Sequence, residues 1–115
     1  MLYSIGMENN KPHINVEFFK PKDVGPRPWG REILVAHVPG LYTGKVLMMN
    51  KGAKGGLQKH HLKNECGYLY SGEMMFRYDA GDGKINEKKL VAGDAVHIPP
   101  GAVHSEQALT DCVVF

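Results

Sequence analysis

Glycine and proline interrupt this chain so often that no long helix fits anywhere in it. Its 115 residues carry 14 glycines and 7 prolines. Pro39-Gly40, Lys51-Gly52, Gly72, the run from Asp79 to Gly83, Gly93 and Pro99-Pro100-Gly101 each mark a turn, because glycine supplies positive φ and proline fixes φ. Between the breaks lie short runs rich in aliphatic, β-branched and aromatic residues. They are Ile14 to Phe19, Arg31 to His37, Tyr42 to Asn50, Gln58 to His60, Glu65 to Ser71, Glu73 to Tyr78, Lys84 to Val91, Ala95 to Ile98, Val103 to Gln107 and Cys112 to Phe115. Short strands with frequent turns predict an all-β barrel or sandwich. Residues 1–12 show no periodicity and read as a loose arm ahead of one domain at 13–115. Lys20 to Gly30 carries Pro21, Gly25, Pro26 and Pro28 and reads as an irregular connection. Its Trp29, the only tryptophan, is expected to plug an apolar surface.

The remaining composition excludes more than it assigns. A chain of this length buries a core without disulfides. Charge is nearly balanced, with 14 basic and 12 acidic residues, so neither nucleic acid nor an anionic membrane is expected as a partner. Apolar runs such as Val46 to Met49 are too short to span a bilayer as a helix. Met1 to Gly6 lacks the basic start and long apolar stretch of a signal peptide. Cys66 and Cys112 form neither a disulfide framework nor a metal-type spacing, which suits a reducing cytoplasm. The chain stops at Phe115 inside an apolar run, as either a barrel closing there or a sequence cut short would give.

Two stretches carry the chemistry. In GAKGGLQKHHLKNECGYLYSG, from Gly52 to Gly72, Gln58 and His60 stand two apart. Side chains at i and i+2 of a strand share a face, so both can meet one ion. His61 then points the other way. After the reversal at His61 to Asn64, Glu65 opens the next strand facing the same point, and Cys66 faces away. In GDAVHIPPGAVHSEQA, from Gly93 to Ala108, the rigid Pro-Pro-Gly turn delivers His104 at the start of a strand. Glutamine, imidazole and carboxylate are ligands of first-row divalent metals, and an ion is a natural partner for a buried glutamate.

Together the two stretches resemble the paired motifs of the cupin superfamily, G-x5-H-x-H-x3-4-E-x6-G and G-x5-P-x-G-x2-H-x3-N. Gln58 takes the place of the first histidine and Ala108 that of the final asparagine. Shifting the register by one would put Lys59 at the first ligand position and Ala53 at the opening glycine, so His60 is the better match than His61. The resemblance implies a single-domain double-stranded β-helix, or jelly-roll barrel. Within the superfamily, the Gln-x-His variation, the Pro28-Trp29-Gly30 triplet and the GDAVHIPPGAVH segment are similar to the mannose-6-phosphate isomerase cupins over roughly residues 24–108. That likeness implies that Gln58, His60, Glu65 and His104 bind one divalent ion, zinc first, with manganese, iron, nickel or cobalt as alternatives. It departs from the family at Ser105, where a basic residue is usual, and at Leu62, where a third histidine is usual.

The implied activity is a metal-dependent sugar or sugar-phosphate isomerase or epimerase. Such chemistry moves a proton between adjacent carbons and needs a base within reach, for which Glu106 and His97 are the candidates. A sugar phosphate also needs a cationic anchor, for which Lys59, Lys63 and Arg77 are available. Two other classes stay open: a non-catalytic cupin binding a sugar or similar small ligand, and a mononuclear iron, nickel or manganese oxygenase. The ligand is expected to be small and polar and to sit in the barrel mouth. A homodimer is expected, with Ile14 to Phe19 pairing against a second copy.

Overall fold

In a strand, successive side chains face opposite sides, and that alternation builds the interior here. A computed structural model of the protein describes residues 2–5, 15–55, 58–59 and 63–115, with 2–5 and 58–59 described by their backbone. Its strands are β1 (Leu2–Ile5), β2 (Lys22–Arg27), β3 (Gly30–Val38), β4 (Tyr42–Met49), β5 (Gln58–Lys59), β6 (Asn64–Ser71), β7 (Glu73–Asp79), β8 (Ile85–Val91), β9 (Ala95–Ile98), β10 (Val103–Ala108) and β11 (Cys112–Val114). No helix occurs among the described residues. One sheet runs β1-β6-β11-β4-β3-β2, with β9 added on β6, and the other runs β5-β10-β7-β8. Every pairing is antiparallel.

The two sheets face each other over a core of Met49, Leu69, Met74, Phe76, Leu90, Ile98, Ala108 and Cys112. Met74 and Phe76 alternate with Met75 and Arg77 along β7, so the inner set packs while the outer set meets solvent or other polar groups. Trp29 packs against the core from the β2–β3 turn, as a plug would. The chain passes from the first sheet to the second at Gly72, between β6 and β7. Gly72 adopts φ +96°, and a Cβ there would lie 2.3 Å from the Asp111 carbonyl oxygen.

Three expectations change. The strand expected at Ile14 to Phe19 does not form in residues 15–19, Ile14 lying outside the described residues, and Val16 and Phe18 are 82% and 93% exposed. The expected irregular connection instead contains β2, paired to β3 across a bulge between Asp23 and Pro26. Pro26 is tolerated because β2 is an edge strand, and the Asp23 carboxylate accepts from Gly25 N at 2.9 Å and from Arg31. The N-terminal arm contributes β1, which pairs with both β4 and β6. β11 lies between the same two strands, with Val114 opposite Leu47 and Leu69, and β1 continues its line with Leu2 opposite Lys45. That pairing supplies ladder bonds an apolar arm lacks in isolation.

Candidate functional site

Three polar side chains come together inside this apolar shell. β10 sends His104 and Glu106, two residues apart, to the inner side of the second sheet, and β6 brings Glu65 across from the first. All three line a cavity of about 250 Å³, with Lys63 beside them and a wall that includes Trp29, Leu69, Met74, Phe76 and Leu90. Register explains the convergence: Glu65 pairs with the buried Ile98 on β9, and Glu106 pairs with the buried Phe76 on β7.

The His104 imidazole is held firmly. The residue is 3% exposed, and its ring stacks on Phe76 with centroids 5.9 Å apart and planes 19° apart. Nδ1 lies 3.4 Å from the Ala102 carbonyl oxygen, which can only accept, so the Nδ1 proton points there. Nε2 faces Oε1 of Glu106 at 3.5 Å. With Nδ1 as the donor, Nε2 is the ring nitrogen that can accept a hydrogen bond or bind a cation. Burial pushes the Glu106 carboxyl above the ordinary glutamate range; His104 opposes the shift and the Glu65 carboxylate reinforces it.

Of the four expected metal ligands, Glu65 and His104 therefore line one cavity. β5 sets the Gln58 backbone in register with His104. His60 and the rejected alternative His61 lie outside the described residues. Among the described residues no three His, Cys, Asp or Glu side chains group as a complete metal site. Glu65 and His104 are residue types that a borderline divalent cation takes, and they are the part of the expected set whose side chains the structure describes at the cavity.

The other expected site residues separate. Lys63 lines the cavity, and Lys59 is paired through its backbone with Val103. Arg77 turns to the outer face, where it bonds Glu87 Oε1 at 3.2 Å and Gln107 Oε1 at 3.1 Å. Glu106 sits within the cluster, whereas His97 is exposed and its Nε2 meets Asn64 Oδ1 at 2.6 Å. His97 alternates with Val96 and Ile98 and pairs with the exposed Cys66. Sequence reasoning passed over Tyr78 and Lys88, which line a second opening that shares His104 with the first. The two-residue spacing of Lys88 from the buried Leu90 was the available signal.

A cupin-domain family model matches residues 45–114 of the chain. Two curated relatives from Arthroderma benhamiae, an oxalate decarboxylase and a probable oxalate decarboxylase, are 34% identical over 86 residues and 37% identical over 85. Each alignment covers 72% of this chain, and the chain spans about a fifth of those relatives' length, 20% and 21%. Among solved structures, KdgF from Halomonas sp. superposes with a TM-score of 0.66 at 24% identity, covering 84% of this chain and 82% of that one. The capsular polysaccharide assembling protein CapF from Staphylococcus aureus gives 0.70 at 24%, covering 84% and 29%. An RmlC-like cupin from Shewanella frigidimarina gives 0.59 at 23%, covering 83% and 78%. Two facing antiparallel sheets, the spaced glycines and prolines and a matched stretch reaching from β4 through β11 all agree: the chain belongs to the cupin family.

Proposed function

We propose that this cupin holds one divalent ion beside His104 and Glu65 and acts on a small anionic sugar derivative as an isomerase or epimerase. One observation carries the reading: His104, Glu65 and Glu106 share a cavity of about 250 Å³ whose other walls are largely apolar. Support for the substrate class comes from the likeness of the Gln58 to Gly72 stretch and of Pro28-Trp29-Gly30 to mannose-6-phosphate isomerase cupins. When bound, the ion would polarise a carbonyl oxygen and supply positive charge where an oxyanion develops. Gln58, His60, Glu65 and His104 would hold it. The chain's own residues do the rest. The Ala102 carbonyl and the Phe76 ring fix the His104 imidazole, Lys63 offers positive charge at the cavity, and Trp29 with Leu69 excludes water. Glu106 takes a proton from one carbon and returns it to its neighbour while the hydroxyl proton passes to the former carbonyl oxygen, so that a single carboxylate serves as base and then acid.

A second reading has its own support. The curated relatives are named oxalate decarboxylases, which favours a carboxylate-bearing ligand whose C–C bond is cleaved.

The test begins with elemental analysis of protein purified without added metal, then thermal melts with zinc or manganese. At a metal concentration of 100 Kd, binding stabilises by about 2.7 kcal/mol. His104→Ala and Glu65→Gln should abolish most of that gain, and Glu106→Gln should keep part of it while losing sugar-phosphate isomerisation. Metal absent from the protein, with no melting response, sinks the reading. Turnover of oxalate instead of sugar phosphates selects the second one.

A further inference from the structure

The barrel has a second opening. It measures about 300 Å³ and lies between β8, an edge strand of the second sheet, and β9, which among the described residues pairs only with β6 in the first. Phe76, Leu90, Val96, Ile98 and His104 line both this opening and the cavity described above. The two thus share a wall, and the buried imidazole is part of it.

Its outer rim carries a lysine where the pattern calls for an apolar residue. Along β7 and β8, Met74 pairs with Leu90 and Phe76 with Lys88, so Lys88 emerges on the interior side between apolar partners. Its neighbour Lys89 emerges outward and is tied to Glu73 at 3.1 Å. Lys88 forms no ion pair with a described residue. Asp79, which also lines the opening, is engaged elsewhere: its Oδ1 accepts from Gly81 N at 2.8 Å and Gly83 N at 3.1 Å, closing the hairpin. Across the gap His97 is fixed by Asn64. Tyr78, on the same face as Phe76, contributes an aromatic wall and a hydroxyl.

From this juxtaposition we infer that the second opening is an anion subsite, in which Lys88 holds the phosphate or carboxylate of a small ligand whose other end reaches His104. A lysine can lay its methylene stem along Phe76 while its ammonium stays at the rim, which suits a flexible point charge facing a terminal anion. Tyr78 supplies a polar contact beside it. The inference rests on the proposed site for its inner end, but the Lys88 contact can be tested alone.

Backbone amide spectra of the full chain would be recorded while titrating inorganic phosphate, mannose 6-phosphate, glucuronate and neutral mannose. Phosphate should shift the Lys88 and His97 amides. Lys88→Ala should weaken binding of the anionic sugars about tenfold and leave mannose unaffected. Lys88→Arg should restore affinity to within about threefold, since it keeps the charge. Lys89→Ala, on the opposite face, should bind like the unaltered protein. The tighter of mannose 6-phosphate and glucuronate identifies the anion as phosphate or carboxylate. Unchanged affinity in Lys88→Ala, shifts confined to other residues, or no response to any anion overturns the subsite. Zinc-induced stabilisation measured on Lys88→Ala keeps the two ideas apart. Its loss in the unaltered protein removes the metal centre, whereas the phosphate titration reports on Lys88 either way.

Discussion

Replacing Gly72 by alanine tests whether the crossing between the two sheets is set by backbone geometry. Two costs add. At φ +96° an L-residue sits in the left-handed half of conformational space, worth about 1–2 kcal/mol. The new Cβ would also lie 2.3 Å from the Asp111 carbonyl oxygen and 2.9 Å from both Cys112 Sγ and Thr110 Oγ1. None of these can stay in place. Moving Thr110 weakens its hydroxyl's bond to Glu73 N, now 3.0 Å, and moving Cys112 weakens its thiol's bond to Glu73 O, now 3.1 Å. At about 1 kcal/mol for each affected bond, the total is roughly 3–4 kcal/mol. Gly52→Ala is the matched control. Gly52 has φ +86° but nothing within 4 Å of the added Cβ, so it should cost only the first part, about 1–2 kcal/mol. Urea unfolding of the three proteins at neutral pH reads the difference directly. Equal losses, within about 0.5 kcal/mol, would refute the claim that Asp111, Thr110 and Cys112 crowd the crossing.

Three further outcomes follow from the same structure. Arg77→Ala removes a partly exposed ion pair to Glu87, so it should cost under about 1 kcal/mol and leave zinc-induced stabilisation unchanged; a lost zinc response would place Arg77 in the site. Glu32 is held below the ordinary carboxylate range: burial works upward, but hydrogen bonds and charge from Arg27 and Lys45 outweigh it. A depressed folded value means stability is present above the ordinary range and lost as pH falls, so melting temperature should drop below about pH 4.5, and less steeply in Glu32→Gln. Light scattering at micromolar concentration should report a homodimer, and Phe18→Asp, at a residue 93% exposed in the single chain, should shift it toward monomer; a monomer mass for the unaltered protein contradicts this.

Local chemistry in the chain determined a good deal by itself. Positive φ at Gly52, Gly72, Gly93 and Gly101 needs only glycine, so those turns were legible. The two-residue alternation of Met74 and Phe76 against Met75 and Arg77 likewise follows from strand geometry alone. That Glu65 and His104 would line one cavity followed from the motif resemblance carried by the spaced glycines and prolines around them. Pairing partners were a different matter. Val16 to Phe19 has the composition of a strand and forms none, while Lys22–Arg27, carrying Gly25 and Pro26, pairs as an edge strand across a bulge. Leu2–Ile5 gains its strand only by extending the line of β11 between β4 and β6. Lys88 reads as an ordinary surface lysine until the β7–β8 register sets it opposite Phe76. A strand's ladder bonds lie on residues distant in sequence, so propensity can nominate a strand while the tertiary structure alone decides which edge it meets and what its side chains face.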